Sequence, residues 1–338
     1  MEAIAGACLE AVRQGAVRAG ERLASLRVNF VDHAGHVIRS SAFQASPKGA
    51  LRPVQPVAAS EKPAAQDAPA MPSIGHAIAV GAGKGGVGKS TVAVNIAVGL
   101  ARRGHAVGLL DGDIYGPSLP TLMGLQAMDP NVLDGRFQPF MAHGVKAMTI
   151  GKLVEAEKPL IWRGPMAHGA FKQLTEKTNW GDLDRLIIDL PPGTGDVPLT
   201  MTQQLKLSGA VIVCTPQRVA QDDAVRAAKM FEQLGVDILG VVENMSVFIA
   251  PDGTEYDIFG RGGAQQMAQR LGLPYLGALP LTMDLRANSD NGEPLLNFKS
   301  DTPPGRRLAL ALDELLNNLE SQLALASVRQ NTPTLTIH

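Results

Sequence analysis

Cysteine is nearly absent. The 338-residue chain has only Cys8 and Cys214, far apart in sequence. Two such residues lay down no disulfide framework, and this usage suits a reducing, cytoplasmic compartment. Aromatic residues make up 4% of the chain, so its core must be mostly aliphatic, and a hydrophobic content of 45% is enough to build one. No excess of one charge exists either. With 31 Lys and Arg against 32 Asp and Glu, the net charge is -1. That balance offers no basic field for nucleic acid or an anionic membrane. No apolar run approaches the ~20 residues of a membrane span. No nucleic-acid partner and no membrane partner are therefore expected. The N-terminus lacks the continuous apolar core of a signal peptide, and Glu2, Glu10 and Glu21 argue against a transit peptide. His143 and His168 have no Cys or His at ligand spacing, which argues against a metal site of that type.

What the chain does have is Gly83-Lys84-Gly85-Gly86-Val87-Gly88-Lys89-Ser90-Thr91, which fits the phosphate-loop pattern G-x-x-x-x-G-K-[ST] at every fixed position. An apolar run, Ala77 to Val80, precedes it and reads as a buried strand; Ala93, Ile96, Ala97, Leu100 and Ala101 follow at helical spacing. Strand, glycine-rich turn and helix start are what phosphate capture needs. Backbone N–H groups turn inward on an anion, and the helix N-terminus adds unpaired N–H groups and a favourable dipole. Lys89 supplies a charge for the β- and γ-phosphates, and Ser90 a hydroxyl for Mg²⁺. Lys84 is surplus to one phosphate site. It either crowds its own loop or reaches elsewhere.

Composition divides the chain. Residues 1 to about 27 read as a helix, and Leu26 to Phe43 as two short strands around a turn at His33-Ala34-Gly35. Residues 44–75, rich in Ala and Pro, read as a flexible linker. From 76 to 326 strands and helices alternate. Expected strands are Ala77–Val80, Ala106–Leu110, Val145–Ile150, Leu186–Asp189, Ala210–Cys214, Ile238–Glu243 and Tyr275–Pro280. Expected helices are Ser90–Arg103, Gly169–Thr178, Val197–Leu207, Ala220–Leu234, Gly263–Leu271 and Arg306–Leu325, and 327–338 reads as a polar tail. The fold class is α/β, a mostly parallel sheet with helices on both faces. A short N-terminal α+β segment, 1–43, and the Pro/Ala-rich linker precede it.

Ligands of such sheets sit beyond the carboxyl ends of the strands. One strand ends in Asp111-Gly112-Asp113, and one of these carboxylates can orient the water that attacks a γ-phosphate. Another ends in Asp189-Leu190-Pro191-Pro192-Gly193-Thr194-Gly195-Asp196, where Asp189 is the second Mg²⁺ element of a phosphate-loop enzyme. A third runs into Asn244-Met245-Ser246, whose amide can read an adenine edge. Ile161-Trp162-Arg163-Gly164-Pro165-Met166 is either a recognition segment for an acidic partner or a packed surface loop.

Together these segments resemble the Mrp/ApbC family, iron–sulfur cluster carrier ATPases in the MinD-like branch of phosphate-loop NTPases. The resemblance spans roughly His76 to Gly292. It rests on Gly83–Thr91, Leu109–Ser118, Ile161–Met166, Ile187–Asp196, Val242–Ser246 and Ile258–Ala264. It implies ATP binding by Gly83, Lys84, Gly85, Gly86, Val87, Gly88, Lys89, Ser90 and Thr91, Mg²⁺ binding by Ser90 with Asp189, water positioning by Asp113 and adenine contact by Asn244. It implies a homodimer in which Lys84 reaches the phosphates bound by the other subunit, as an arginine finger does. It also implies iron–sulfur cargo, apoprotein recipients and iron–sulfur assembly proteins as partners.

The chain departs from the family at Val247-Phe248-Ile249-Ala250-Pro251-Asp252-Gly253-Thr254-Glu255, where members carry Cys-x-x-Cys. Clusters are normally held by cysteine thiolates, so the cluster ligands here are unknown. Two readings follow: an ATP-hydrolysing protein that binds and transfers clusters, and an ATP-switched adaptor that carries none itself. A positioning ATPase on membrane or DNA is a third, disfavoured by the neutral charge and the weakly basic C-terminus.

Overall fold

The computed structural model describes residues 25–31, 37–45, 51–53, 73–153, 164–195, 198–199, 202 and 206–331. The chain divides into two compact units, Met1–Ala70 and Met71–His338.

In the first unit, β1 (Ser25–Val31), β2 (Val37–Ala45) and β3 (Leu51–Pro53) form an antiparallel sheet in the order β1-β2-β3. The expected strand pair is present. Ser25 to Arg27 belong to a strand, not to the expected N-terminal helix, whose other residues lie outside the described ones. Gln44, Ala45 and residues 51–53 are likewise strand where linker was expected. The pairing of Ala45 with Leu51 accounts for this: backbone hydrogen bonding overrides a composition rich in Ala and Pro.

The second unit opens with β4 (Ile74–Gly81), α1 (Lys89–Arg102) and β5 (Val107–Asp111). Next come the single turn α2 (Leu119–Leu122), the hairpin of β6 (Asn131–Leu133) and β7 (Arg136–Gln138), then β8 (Phe140–Ala142) and β9 (Val145–Met148). After α3 (Gly164–Lys177) follow β10 (Leu183–Asp189), β11 (Gly209–Cys214), α4 (Arg218–Gln233), β12 (Ile238–Ile249) and β13 (Glu255–Tyr256). The unit closes with α5 (Gly263–Leu271), β14 (Tyr275–Thr282), α6 (Met283–Asp290) and α7 (Pro303–Asn331). One sheet runs β14-β12-β11-β4-β10-β5-β9 with every neighbour parallel. Short antiparallel strands, β8 on β9 and β13 on β12, complete it.

Strand period explains the two cores. Ile78, Val80, Ile187, Val211 and Val213 point to one face, where α1 and α7 cover them. Ala79, Ile188, Ala210, Ile212 and Cys214 point to the other, beside residues of α3, α4 and α5. Both faces are apolar, so the strands read as continuous apolar runs. Leu308, Leu312, Leu315, Leu316, Leu319 and Leu323 make the inward stripe of α7, all buried. Each contributes roughly 1.5–3 kcal/mol on leaving water.

The expected elements that fall on described residues are found, with shifted ends. β12 runs to Ile249 rather than Glu243, and α7 reaches Asn331, into the expected polar tail. The expected helix Val197–Leu207 lies largely outside the described residues. No described helix is long and apolar enough to cross a membrane.

Candidate functional site

The site begins where β4, in the middle of the sheet, gives way to the loop before α1. Gly88 caps α1 with φ 80° and ψ 25°, left-handed backbone, and no side chain caps the helix. A Cβ there would lie 2.2 Å from Asn244 Nδ2, so both conformation and space demand glycine. Gly85 and Gly86 have open space above them, and Gly83 lies against Asp223 of α4. The first-turn N–H groups of α1 have no intrahelical acceptors and form a ready anion site.

Lys89, the first residue of α1, and Asp189, the last of β10, meet beneath this loop. Lys89 Nζ donates to Asp189 Oδ1 at 2.5 Å and to Ser90 Oγ at 3.3 Å. Lys89 is 6% exposed and Asp189 0%. Burial pushes the Asp189 carboxyl above the usual carboxylate range, and the Lys89 charge pulls it back. Asp189 Oδ2 is buried and has no hydrogen-bond partner among the described residues. A buried carboxylate oxygen without a donor, beside a hydroxyl at a phosphate loop, is the donor set Mg²⁺ takes when phosphates and waters complete its shell. Ser90 and Asp189 fit the ion.

The two acids after β5 separate by role. Asp111 is fully buried. Its Oδ2 accepts from Thr149 Oγ1 at 2.9 Å and Leu119 N at 3.4 Å, and its Oδ1 from Asp113 N at 3.2 Å. Burial, then the Asp189 charge, pushes its pKa up to about 7. Asp111 thus anchors the loop, which the amide of Gly112 also ties to Asp189 O at 2.8 Å. Asp113 is half-buried, its Oδ1 accepts only the Gly116 amide at 3.3 Å, and its charge reaches Asp189. Of the two acids it is the one that reaches solvent.

Asn244 lies inside β12, not at a strand end as expected. Its Nδ2 donates to Val87 O at 2.8 Å, so the amide braces the phosphate loop. Met245 beside it has φ 56°, and the pairing of β12 with β14 slips between Asn244 and Phe248. This bulge lets the strand continue past the motif that was read as its end. The Thr91 carbonyl accepts from Asn95 Nδ2 at 2.8 Å. Lys84 is half-buried, makes no hydrogen bond or ion pair with a described residue, and its charge is felt at Cys214. Trp162, Arg163, Asp196 and Cys8 lie outside the described residues, or their side chains do.

Glu243 was missed as a functional residue by sequence reasoning. Its carboxylate accepts from Gly262 N at 2.9 Å and Ala264 N at 2.7 Å, capping α5. The available signal was an acid inside an apolar strand, which must find partners.

Among the described residues the one thiol is withdrawn from solvent. Cys214 is buried, its Sγ donates to Thr215 O at 3.1 Å, and burial pushes its pKa up to about 12. The stretch after β12 is a closed turn: Ala250 N donates to Thr254 O at 2.9 Å and Gly253 N to Ala250 O at 2.8 Å. Among the described residues no group of three or more His, Cys, Asp or Glu is arranged to hold a metal ion.

Residues 73–316 match the family model of ParA, described as NUBPL iron-transfer P-loop NTPase. The chain belongs to this family. An iron–sulfur cluster carrier protein of Synechocystis is 45% identical over 79% of this chain and 77% of its own length. One from Deinococcus radiodurans is 51% identical over 68% of this chain, which spans 65% of that relative. Among solved structures, a nucleotide-binding protein of Archaeoglobus fulgidus in complex with ADP is 41% identical, with a TM-score of 0.59 over 65% of this chain and 87% of that one. The cell division ATPase MinD of Pyrococcus furiosus, 21% identical with a TM-score of 0.56 over 73% of this chain and 99% of that one, shares the fold.

Proposed function

We propose that this P-loop NTPase binds and hydrolyses ATP as a homodimer and serves the transfer of iron–sulfur clusters to apoproteins, in the cytoplasm. The observation that carries the nucleotide reading is the buried Lys89–Asp189 pair at the N-terminus of an uncapped helix, with Asp189 Oδ2 left without a donor. The pair fits a resting arrangement. When ATP enters, Lys89 turns from Asp189 to the β- and γ-phosphates, and Asp189 and Ser90 become free to hold Mg²⁺. Mg²⁺ held by Ser90 and Asp189 would offset the charge on the phosphate oxygens. Asp113 orients the attacking water. Asn244, braced on Val87, keeps its carbonyl for the adenine edge. Lys84, half-buried and without a partner among the described residues, stabilises transition-state charge at the phosphates of the second subunit. The second unit, from Met71, carries this chemistry, and the first, Met1–Ala70, is accessory to it.

The cargo reading rests on the family and on the names its relatives bear. A second reading has its own support. The closed, thiol-free turn at Ala250–Thr254 and the buried Cys214 favour an ATP-switched adaptor whose cluster ligands come from its protein partners. Anaerobic reconstitution with iron and sulfide, followed by iron counting and transfer to an apo-ferredoxin, tests the two. A cluster bound by the dimer and delivered supports the carrier. ATP turnover with no bound cluster leaves the adaptor.

A further inference from the structure

A cavity of about 370 Å³ opens beside β14, between the N-terminal end of α5 and the first turns of α7. Val247, Ile249 and Leu310 form its apolar wall; Tyr275 and three carboxylates, Glu243, Glu255 and Glu314, against two cations, Arg261 and Arg307, stand among its polar groups. Three features mark it as a docking groove for an extended segment.

The first is the strand itself. Among the described residues β14 has a strand neighbour on one side only, β12, although its Leu276 carbonyl already accepts from Asn318 Nδ2 of α7 at 3.0 Å. An edge strand offers main-chain groups to an incoming strand. The second is Gly277, which lines the cavity within β14. It has φ 139°, and among the described residues no heavy atom beyond its chain neighbours lies within 4 Å of where its Cβ would be. Glycine inside a strand weakens it and marks a place where another backbone approaches.

The third feature is charge. Arg261 and Arg307 are both held by Glu255, at 2.8 and 3.2 Å, and Arg261 also by Asp257 at 2.9 Å. Glu314 is exposed and has no ion-pair partner among the described residues. Glu243 has only backbone amides. The cavity therefore holds a surplus of negative charge. The Tyr275 hydroxyl registers it: burial, then Glu243 and Glu314, push its pKa well above the phenol value.

We propose that this groove binds an extended segment of a partner protein along the free edge of β14, with a Lys or Arg of that segment paired to Glu314 and an aliphatic side chain on Leu310. The proposal is independent of whether the cluster travels on this chain or on its partner.

The test is fluorescence anisotropy on the full chain with a labelled peptide, Val-Lys-Val-Arg-Val-Lys-Val, and its counterpart with Glu at each basic position. The basic peptide binds saturably and at least tenfold more tightly than the acidic one. Glu314→Lys and Leu310→Asp each weaken it about tenfold or more. Glu176→Lys, on α3 outside the groove, changes nothing. ADP affinity stays at the parental value in all three variants, which separates loss of the groove from loss of the fold or of the nucleotide site. No saturable binding, equal binding of the two peptides, full binding by Glu314→Lys, or equal weakening by Glu176→Lys overturns the proposal.

Discussion

Lys89 is claimed by Asp189 in this structure and by phosphates in the proposed cycle, and the exchange makes a prediction about each partner. Removing one member of a buried pair leaves the other charge uncompensated, at a cost of roughly 3–5 kcal/mol. Lys89→Ala is expected to lose ADP binding and to unfold at lower urea. Adding Asp189→Asn removes the stranded carboxylate, so the double variant regains most of the stability and none of the ADP binding. Urea titration and calorimetry read the two separately. Lys84→Ala is expected to bind ADP normally and to turn over ATP at least tenfold more slowly, since its role is confined to the transition state. Turnover at the parental rate refutes the role. Asp111 predicts a pH dependence. Its folded pKa of about 7 lies above the ordinary 3.8, so between these values the folded state holds a proton that the unfolded state has lost. Its contribution to stability is complete below about pH 4 and is lost as pH rises to 7. Asp111→Asn removes that slope from a plot of urea midpoint against pH; an unchanged slope rejects the assignment.

The elements follow the apolar pattern where it is long and fail where it is short or polar. The phosphate loop, β4 and α1 were legible because their fixed residues are contiguous. α6, Met283–Asp290, and the short strands β6 to β8 were not expected: α6 has little apolar periodicity, and the strands span only three residues each. The end of β12 was misread because Asn244-Met245-Ser246 looks like a turn, while pairing with β13 and β14 carries the backbone through it. Helix α7 shows how much its buried stripe matters. Leu319 is 0% exposed and Leu310, on the same helix, 68%. Leu319→Ala is expected to cost about 2–5 kcal/mol, and Leu310→Ala no more than about 0.5 kcal/mol. Urea unfolding of the two variants distinguishes a helix held by its stripe from one held by its whole surface.

At the scale of the molecule, β12 joins two sites. Asn244 holds Val87 of the phosphate loop, and the Met245 methyl lies 3.6 Å from the point where a Cβ on Gly88 would sit. Shortly beyond, Val247 and Ile249 form the wall of the groove beside β14. Between them stands Met245 in left-handed backbone, a conformation that costs a non-glycine residue of order 1–3 kcal/mol. A strained bulge between two contacts is an element both can bias. A peptide seated in the groove is therefore expected to change ADP affinity by about fivefold or more, a coupling of roughly 1 kcal/mol. Linkage requires ADP to change the peptide's affinity by the same factor, so two titrations measure one quantity and check each other. Asn244→Ala cuts the contact with Val87 without touching the groove wall. It should leave peptide binding intact and bring the factor to one. Equal ADP affinity with and without saturating peptide, in the parental chain, would show that β12 carries both sites without coupling them.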